Sequence, residues 1–253
     1  MNQSLESEGF VLLPDLMPGA LLERVRRRVD ELYAQEGDRA GSEFRQEPGT
    51  RRLANLGAKD PVFLELASHP TIVDLVRQVL GERFKVSSLN ARSANPYSNS
   101  HQPLHVDQGL LPDELGNSVC NVVWMLDDFT TENGALRVVA GTHKSGLNPV
   151  TALTDPAAPQ PGERLVTGKA GSAVVMNAHL WHGGTANRTG AHRRAVHSFY
   201  CRWDKPQQQY QKRLLPAEVI ARLTPEQRVL LAIDDPLNDE LSAASPNMSG
   251  FLR

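Results

Sequence analysis

The chain has 253 residues, 40% hydrophobic and 22% charged, with a formal net charge of −2. That suffices for one large domain with a real core and is short for two, and so slight a charge gives no field that would draw it to nucleic acid or an anionic membrane. Two cysteines, Cys120 and Cys201, exclude a disulfide scaffold and fit a reducing compartment; the polar first residues lack a secretory signal, and no apolar run has bilayer-spanning length, so a cytoplasmic protein is expected, of unknown oligomeric state.

The first third reads as mostly helical. After Pro18, Leu21, Leu22, Val25, Val29, Leu32 and Tyr33 recur at three- and four-residue spacing, the mark of one buried helix stripe. The arginines between them, at 24 and 26–28, read as a solvated face. A second helix is predicted from Pro70, through Ile72, Leu75, Val76, Val79 and Leu80, stopping at Gly81.

From residue 84 the pattern changes. Residues 84–93, 119–126, 136–139, 171–176 and 195–200 are short Val-rich runs divided by turn signals such as Asn133-Gly134, Gly141-Thr142 and Gly183-Gly184, which points to a β-sandwich or barrel. Residues 147–162 hold four prolines and read as a long loop, a candidate lid. Thr224-Pro225-Glu226-Gln227 is a capping box at a C-terminal helix. The polar tail, 235–253, is a candidate cover for the site.

His105-Val106-Asp107 carries the first chemical signal. On an extended chain, residues i and i+2 share a face, so an imidazole and a carboxylate can reach one cation. With a second His they would form a facial triad that leaves positions open for a co-substrate and O2. The tripeptide alone is weak: chance yields about 0.4 of them in a chain with 8 His and 14 Asp. His182, between an apolar run and Gly183-Gly184, supplies the third candidate; His179 competes with it. Arg193, eleven residues after His182, is a fork suited to a carboxylate.

These residues, taken in order with Glu132-Asn133-Gly134-Ala135-Leu136, Gly141-Thr142-His143 and the opening Glu8-Gly9-Phe10-Val11-Leu12-Leu13-Pro14, resemble the phytanoyl-CoA dioxygenase family of iron- and 2-oxoglutarate-dependent oxygenases. The likeness runs over about 6–204. It implies a mainly β fold with flanking helices around a double-stranded β-helix, or jelly-roll, core. The whole of 1–253 would be one oxygenase domain, with a helical extension over about 205–253. Fe(II) would sit at His105, Asp107 and His182, and Arg193 would bind the distal carboxylate of 2-oxoglutarate. Gln102 and Thr130 match positions that often touch the co-substrate. Trp124, by type a core or wall residue, is counted with them as shaping the pocket beside the co-substrate, and Asn90 and Arg92 share one strand face that is either cavity or solvent. The implied reaction consumes 2-oxoglutarate and O2, oxidises a substrate C–H bond and releases succinate and CO2. Hydroxylation of a secondary metabolite is the expectation. Asp107 fills the position that a halogenase of this type leaves for halide. A cupin-like metal enzyme that does not use 2-oxoglutarate, and a non-catalytic jelly-roll binding protein, are the competing readings.

Overall fold

A computed structural model describes residues 2–245; the last eight residues of the polar tail lie outside the described residues. Nine strands form in chain order: β1 (Phe10–Leu13), β2 (Thr50–Leu53), β3 (Phe84–Ala94), β4 (Val119–Met125), β5 (Leu136–Val139), β6 (Glu163–Val166), β7 (Ala173–Asn177), β8 (Trp181–Gly184) and β9 (Arg193–Arg202). They make a six-stranded sheet, β1-β7-β4-β9-β3-β2, and a three-stranded sheet, β6-β5-β8, antiparallel throughout. Together they are the predicted jelly roll with flanking helices.

The helix Gly19–Glu36 buries the six residues of the predicted stripe. Arginines of its other face are ion-paired, Arg24 with Glu65 and Arg28 with Asp60. The helix Pro70–Leu80 begins on its proline and ends where Gly81 turns to φ +82°, a conformation that costs glycine nothing. Both helices pack on one face of the large sheet, where Cys120, Val122, Trp124, Val175, Val196 and Tyr200 join one apolar core. A second core lies between the sheets and includes Val123, Met125, Phe129, Val138 and Val174. The C-terminal helices include Pro225–Leu230, which carries the predicted capping box.

The first third is less helical than predicted. β1 pairs with β7 and β2 with β3, so both edges of the large sheet come from this region. β1 is only four residues long, too short for alternation to register, and β2 is the charged run Thr50-Arg51-Arg52-Leu53. The proline-rich segment is not a free lid. Buried Arg137 donates to the carbonyl oxygens of Ala157 and Ala158 and pairs with Glu163 at 2.7 Å, and Trp181 Nε1 donates to Leu147 O.

Candidate metal centre

The His-x-Asp motif lies in an extended segment that meets β8 through one isolated bridge. The backbones of His105 and His182 exchange two hydrogen bonds, 2.9 and 3.0 Å. Val106 is extended, with φ −105° and ψ 144°, and buries its side chain with Leu104, Val139 and Trp181. His105 and Asp107 are thereby turned the other way. The backbone then tightens into a turn in which Gln108 takes φ +56°, a strained conformation for a residue with a Cβ.

His105, Asp107 and His182 bring one ligand atom each within 4.8 Å of one another. Asp107 Oδ1 lies 3.9 Å from His105 Nε2 and 3.5 Å from His182 Nε2. Each ring is oriented from behind: His105 Nδ1 lies 3.0 Å from Pro103 O and His182 Nδ1 2.8 Å from Leu180 O. Only an N–H can face a carbonyl oxygen, so Nδ1 carries the proton and the Nε2 lone pair is free for a cation. Asn121 Nδ2 donates to Asp107 Oδ2 at 2.9 Å, which aims Oδ1 at the rings. Two imidazoles and one carboxylate on a single side suit Fe(II) and leave its other positions open.

Burial works against charge on all three groups. Asp107 is nonetheless held well below the usual carboxylate range by His182, His105 and Asn121. His182 is raised because the charge of Asp107 outweighs its burial. His105, partly buried and beside His182, is pushed down to about 4 by desolvation and then by that neighbour. His179 takes no part: its Nε2 accepts from Ser118 N at 3.0 Å and its Nδ1 sits 2.9 Å from Leu110 O, so both ring nitrogens are spent on the chain.

The cluster opens on a cavity of about 1420 Å3. Arg193, the first residue of β9, reaches it from the far end of the strand. It is 4% exposed, its guanidinium lies 4.3 Å over the Phe129 ring, and its Nε is buried without a hydrogen-bond partner. Among the described residues it has no ion pair. Burial and the nearby Arg92 lower its pKa to about 9. A buried guanidinium in this state is a receptor for an anion that would complete it.

Gln102, Asn90, Arg92 and His197 also line the cavity. Thr130 and Trp124 do not. Thr130 is exposed on the Asn133 turn, where its N–H donates to Asn133 Oδ1. Trp124 is fully buried on the helix side, its Nε1 bonded to Ser198 Oγ at 3.2 Å. Strand alternation turns Asn121 and Val123 to the cavity and Trp124 away from it. Sequence reasoning missed Asn121, whose signal was a lone amide in a Val-rich strand, and Gln208, whose Oε1 accepts from Ser88 Oγ at 2.6 Å. It also missed Arg45, Glu47 and Arg52, which cluster with Arg92 and had no local signal.

The family model of phytanoyl-CoA dioxygenase (PhyH) matches residues 5–195. The chain belongs to this family. Like other PhyH dioxygenases it is an enzyme that works with Fe(II), 2-oxoglutarate and O2. Among curated relatives, the dioxygenase af480 of Aspergillus fumigatus is 29% identical over 237 residues, covering 90% of this chain and 75% of that protein. Among solved structures, EctD from S. alaskensis with 2-oxoglutarate and 5-hydroxyectoine superposes at TM-score 0.67 and 19% identity, covering 79% of this chain and 74% of that one. HygX from Streptomyces hygroscopicus with nickel and 2-oxoglutarate superposes at 0.63 and 19% identity, covering 80% and 86%. At such identities the two structures speak for the shared fold. Among the described residues no helix is long and apolar enough to cross a membrane.

Proposed function

We propose that His105 Nε2, Asp107 Oδ1 and His182 Nε2 hold the iron of this oxygenase, that Arg193 binds the distal carboxylate of 2-oxoglutarate with Gln102 beside it, and that the reaction hydroxylates a C–H bond of a small organic substrate. The observation that carries the reading is the presence, in one cavity, of a three-donor cluster and a buried guanidinium with no ion pair among the described residues. Neither feature has a structural use by itself. A chelating dicarboxylate gives a use to both at once.

When bound, iron and 2-oxoglutarate supply the oxidising power, at the cost of O2 and with release of succinate and CO2. The chain supplies the rest. Backbone carbonyls fix the imidazole tautomers, Asn121 fixes the carboxylate, and Phe129 backs the guanidinium. Val123, Leu136 and Met176 give the cavity apolar wall, which keeps water from the reacting centre. Hydroxylation is favoured because Asp107 fills the position a halogenase leaves for halide, and because the EctD structure holds a hydroxylated molecule. The cavity suits a small or medium-sized metabolite, and we assign the substrate to secondary metabolism. The same reading takes 1–253 as one cytoplasmic oxygenase domain with a helical extension from about 205.

Anaerobic Fe(II) and 2-oxoglutarate should together give a weak visible charge-transfer band. A wild-type protein that stays colourless after reconstitution, and forms no succinate with any substrate, would overturn the assignment.

A further inference from the structure

The cavity is unevenly charged. Four guanidinium groups line it, those of Arg45, Arg52, Arg92 and Arg193, against the carboxylates of Glu47 and Asp107. Both carboxylates are already engaged. Asp107 belongs to the metal cluster. Glu47 is shared by three arginines: Arg52 Nη2 at 2.9 Å, Arg92 Nε at 3.2 Å and Arg45 in close contact. If Arg193 takes 2-oxoglutarate, the charges of the co-substrate and of iron cancel, and the wall built by β2 and the segment before it keeps an excess of positive charge.

That wall shows the strain of the excess. Arg92 is lowered by burial and then by the neighbouring Arg52. Arg52 Nε is buried with no hydrogen-bond partner. Arg92 spends its Nε on Glu47 and its Nη2 on Ser100 O, each at 3.2 Å, so the freer capacity lies on Arg52 and on Arg45, which is half-exposed at the rim. Phe44 and Pro48 flank the two guanidiniums with apolar surface. A neutral substrate would bury this wall and leave it unmatched, at the cost that attends an uncompensated buried charge.

We propose that the substrate carries a carboxylate and that Arg52 and Arg45 receive it, on the β2 side of the sheet face that carries Arg193, two strands away from it. The inference rests on the assignment of Arg193 to 2-oxoglutarate. It fixes which end of the substrate faces the β2 wall, and so which end is presented to the metal.

The test uses the full chain loaded with Fe(II) and saturating 2-oxoglutarate under anaerobic conditions. A panel of aryl and alkyl carboxylates, each matched by its primary amide, is screened by ligand-observed NMR, and the affinities of the matched pairs are compared. The acids should bind about tenfold more tightly than their amides, as a charged hydrogen-bond partner outweighs a neutral one. Arg52→Gln and, separately, Arg45→Gln should erase most of that preference while 2-oxoglutarate affinity shifts less than about twofold. Arg45 is exposed enough that its variant folds even if the Arg52 variant does not. Glu47→Gln, which frees the guanidiniums, should raise the preference, a gain that damaged packing would not give. Amides binding as well as acids in the wild type would overturn the proposal, as would a preference that survives both arginine variants, since the iron alone would then be holding the acids. Failure of 2-oxoglutarate to bind would count against the role of Arg193 instead, and the acid–amide comparison would still be scored on the iron-loaded protein.

Discussion

Along β4, Cys120, Val122 and Trp124 look into the helices, while Asn121 and Val123 look into the cavity. The same division runs across β3 and β9. Leu89, Ala91, Val196 and Tyr200 face the helices, and Asn90, Arg92, Arg193 and His197 face the cavity. One face therefore consists of volume to be filled, and the other mixes apolar wall with polar groups, among them a guanidinium, that of Arg193, with no ion pair among the described residues. Adjacent residues show it best. Arg194 is matched by Asp127 at 2.7 Å and Asp30 at 2.6 Å, whereas Arg193, one position earlier, has no such partner. The helix face holds the protein together, and the cavity face holds its chemistry at some expense in stability.

Substitutions can break that division. The largest effect should come from His182→Ala, which should take turnover to background and abolish iron binding by metal analysis. Trp124→Ala, on the other face, should lower the unfolding free energy by about 3–5 kcal/mol in denaturant titrations while the metal cluster persists. Arg193→Gln should raise the KM for 2-oxoglutarate on the order of 100-fold without loss of stability. Arg194→Gln should do the reverse, losing about 1–3 kcal/mol at unchanged KM. Asn121→Ala should weaken iron affinity about 10–100-fold, read by competition with a chelator.

Acid should act mainly through the cavity face. His197 is held down to about 3 by burial and by Arg52 and Arg92. It stays neutral in the fold over a range where the unfolded chain, with an imidazole near 6.5, takes up a proton. Its contribution is thus complete above pH 6.5 and drains away as pH falls toward 3. His105, pushed to about 4 in the metal-free protein, has the same sign. Glu47, held to about 2 against its burial by Arg52, Arg92 and Arg45, adds a loss below 4.5. His182, raised, has the opposite sign, its contribution being lost as pH rises. The melting temperature of metal-free protein should fall between pH 6.5 and 4, and His197→Asn should flatten that slope. The smallest effect belongs to Thr130→Ala, on its exposed turn: less than a twofold change in the KM for 2-oxoglutarate would fit its position, and a tenfold change would not.

How far the sequence could be read follows the same division. The helix stripes and the runs of β3, β4, β5, β7 and β9 were legible because burial on a regular element repeats along the chain. The short edge strands β1 and β2 were not, since their pairing partners lie 38 or more residues away and β2 is charged. At the site, His105, Asp107, His182 and Arg193 were legible as an ordered set that resembles a family, with Gln102 among them. Trp124 was misplaced because an aromatic residue on a central strand fits either face until the register is known. Arg45, Glu47, Arg52 and Arg92 were invisible as a group. They sit on a loop and two strands, and only the pairing of Arg52 with Arg92 across β2 and β3 brings them together.

The glycine that follows His182 has a further consequence. A side chain at Gly183 would place its Cβ 2.6 Å from Gln102 O, so the strand behind one imidazole lies flat against the segment that leads to the other. Joined by the paired backbone hydrogen bonds of His105 and His182, the two stretches behave as a single plate. A cation arriving there would find its donors already arranged and would spend little of its binding energy on ordering the chain. Metal should therefore leave and return without unfolding the protein, as in a socket, unlike a zinc finger, whose fold exists only around its ion.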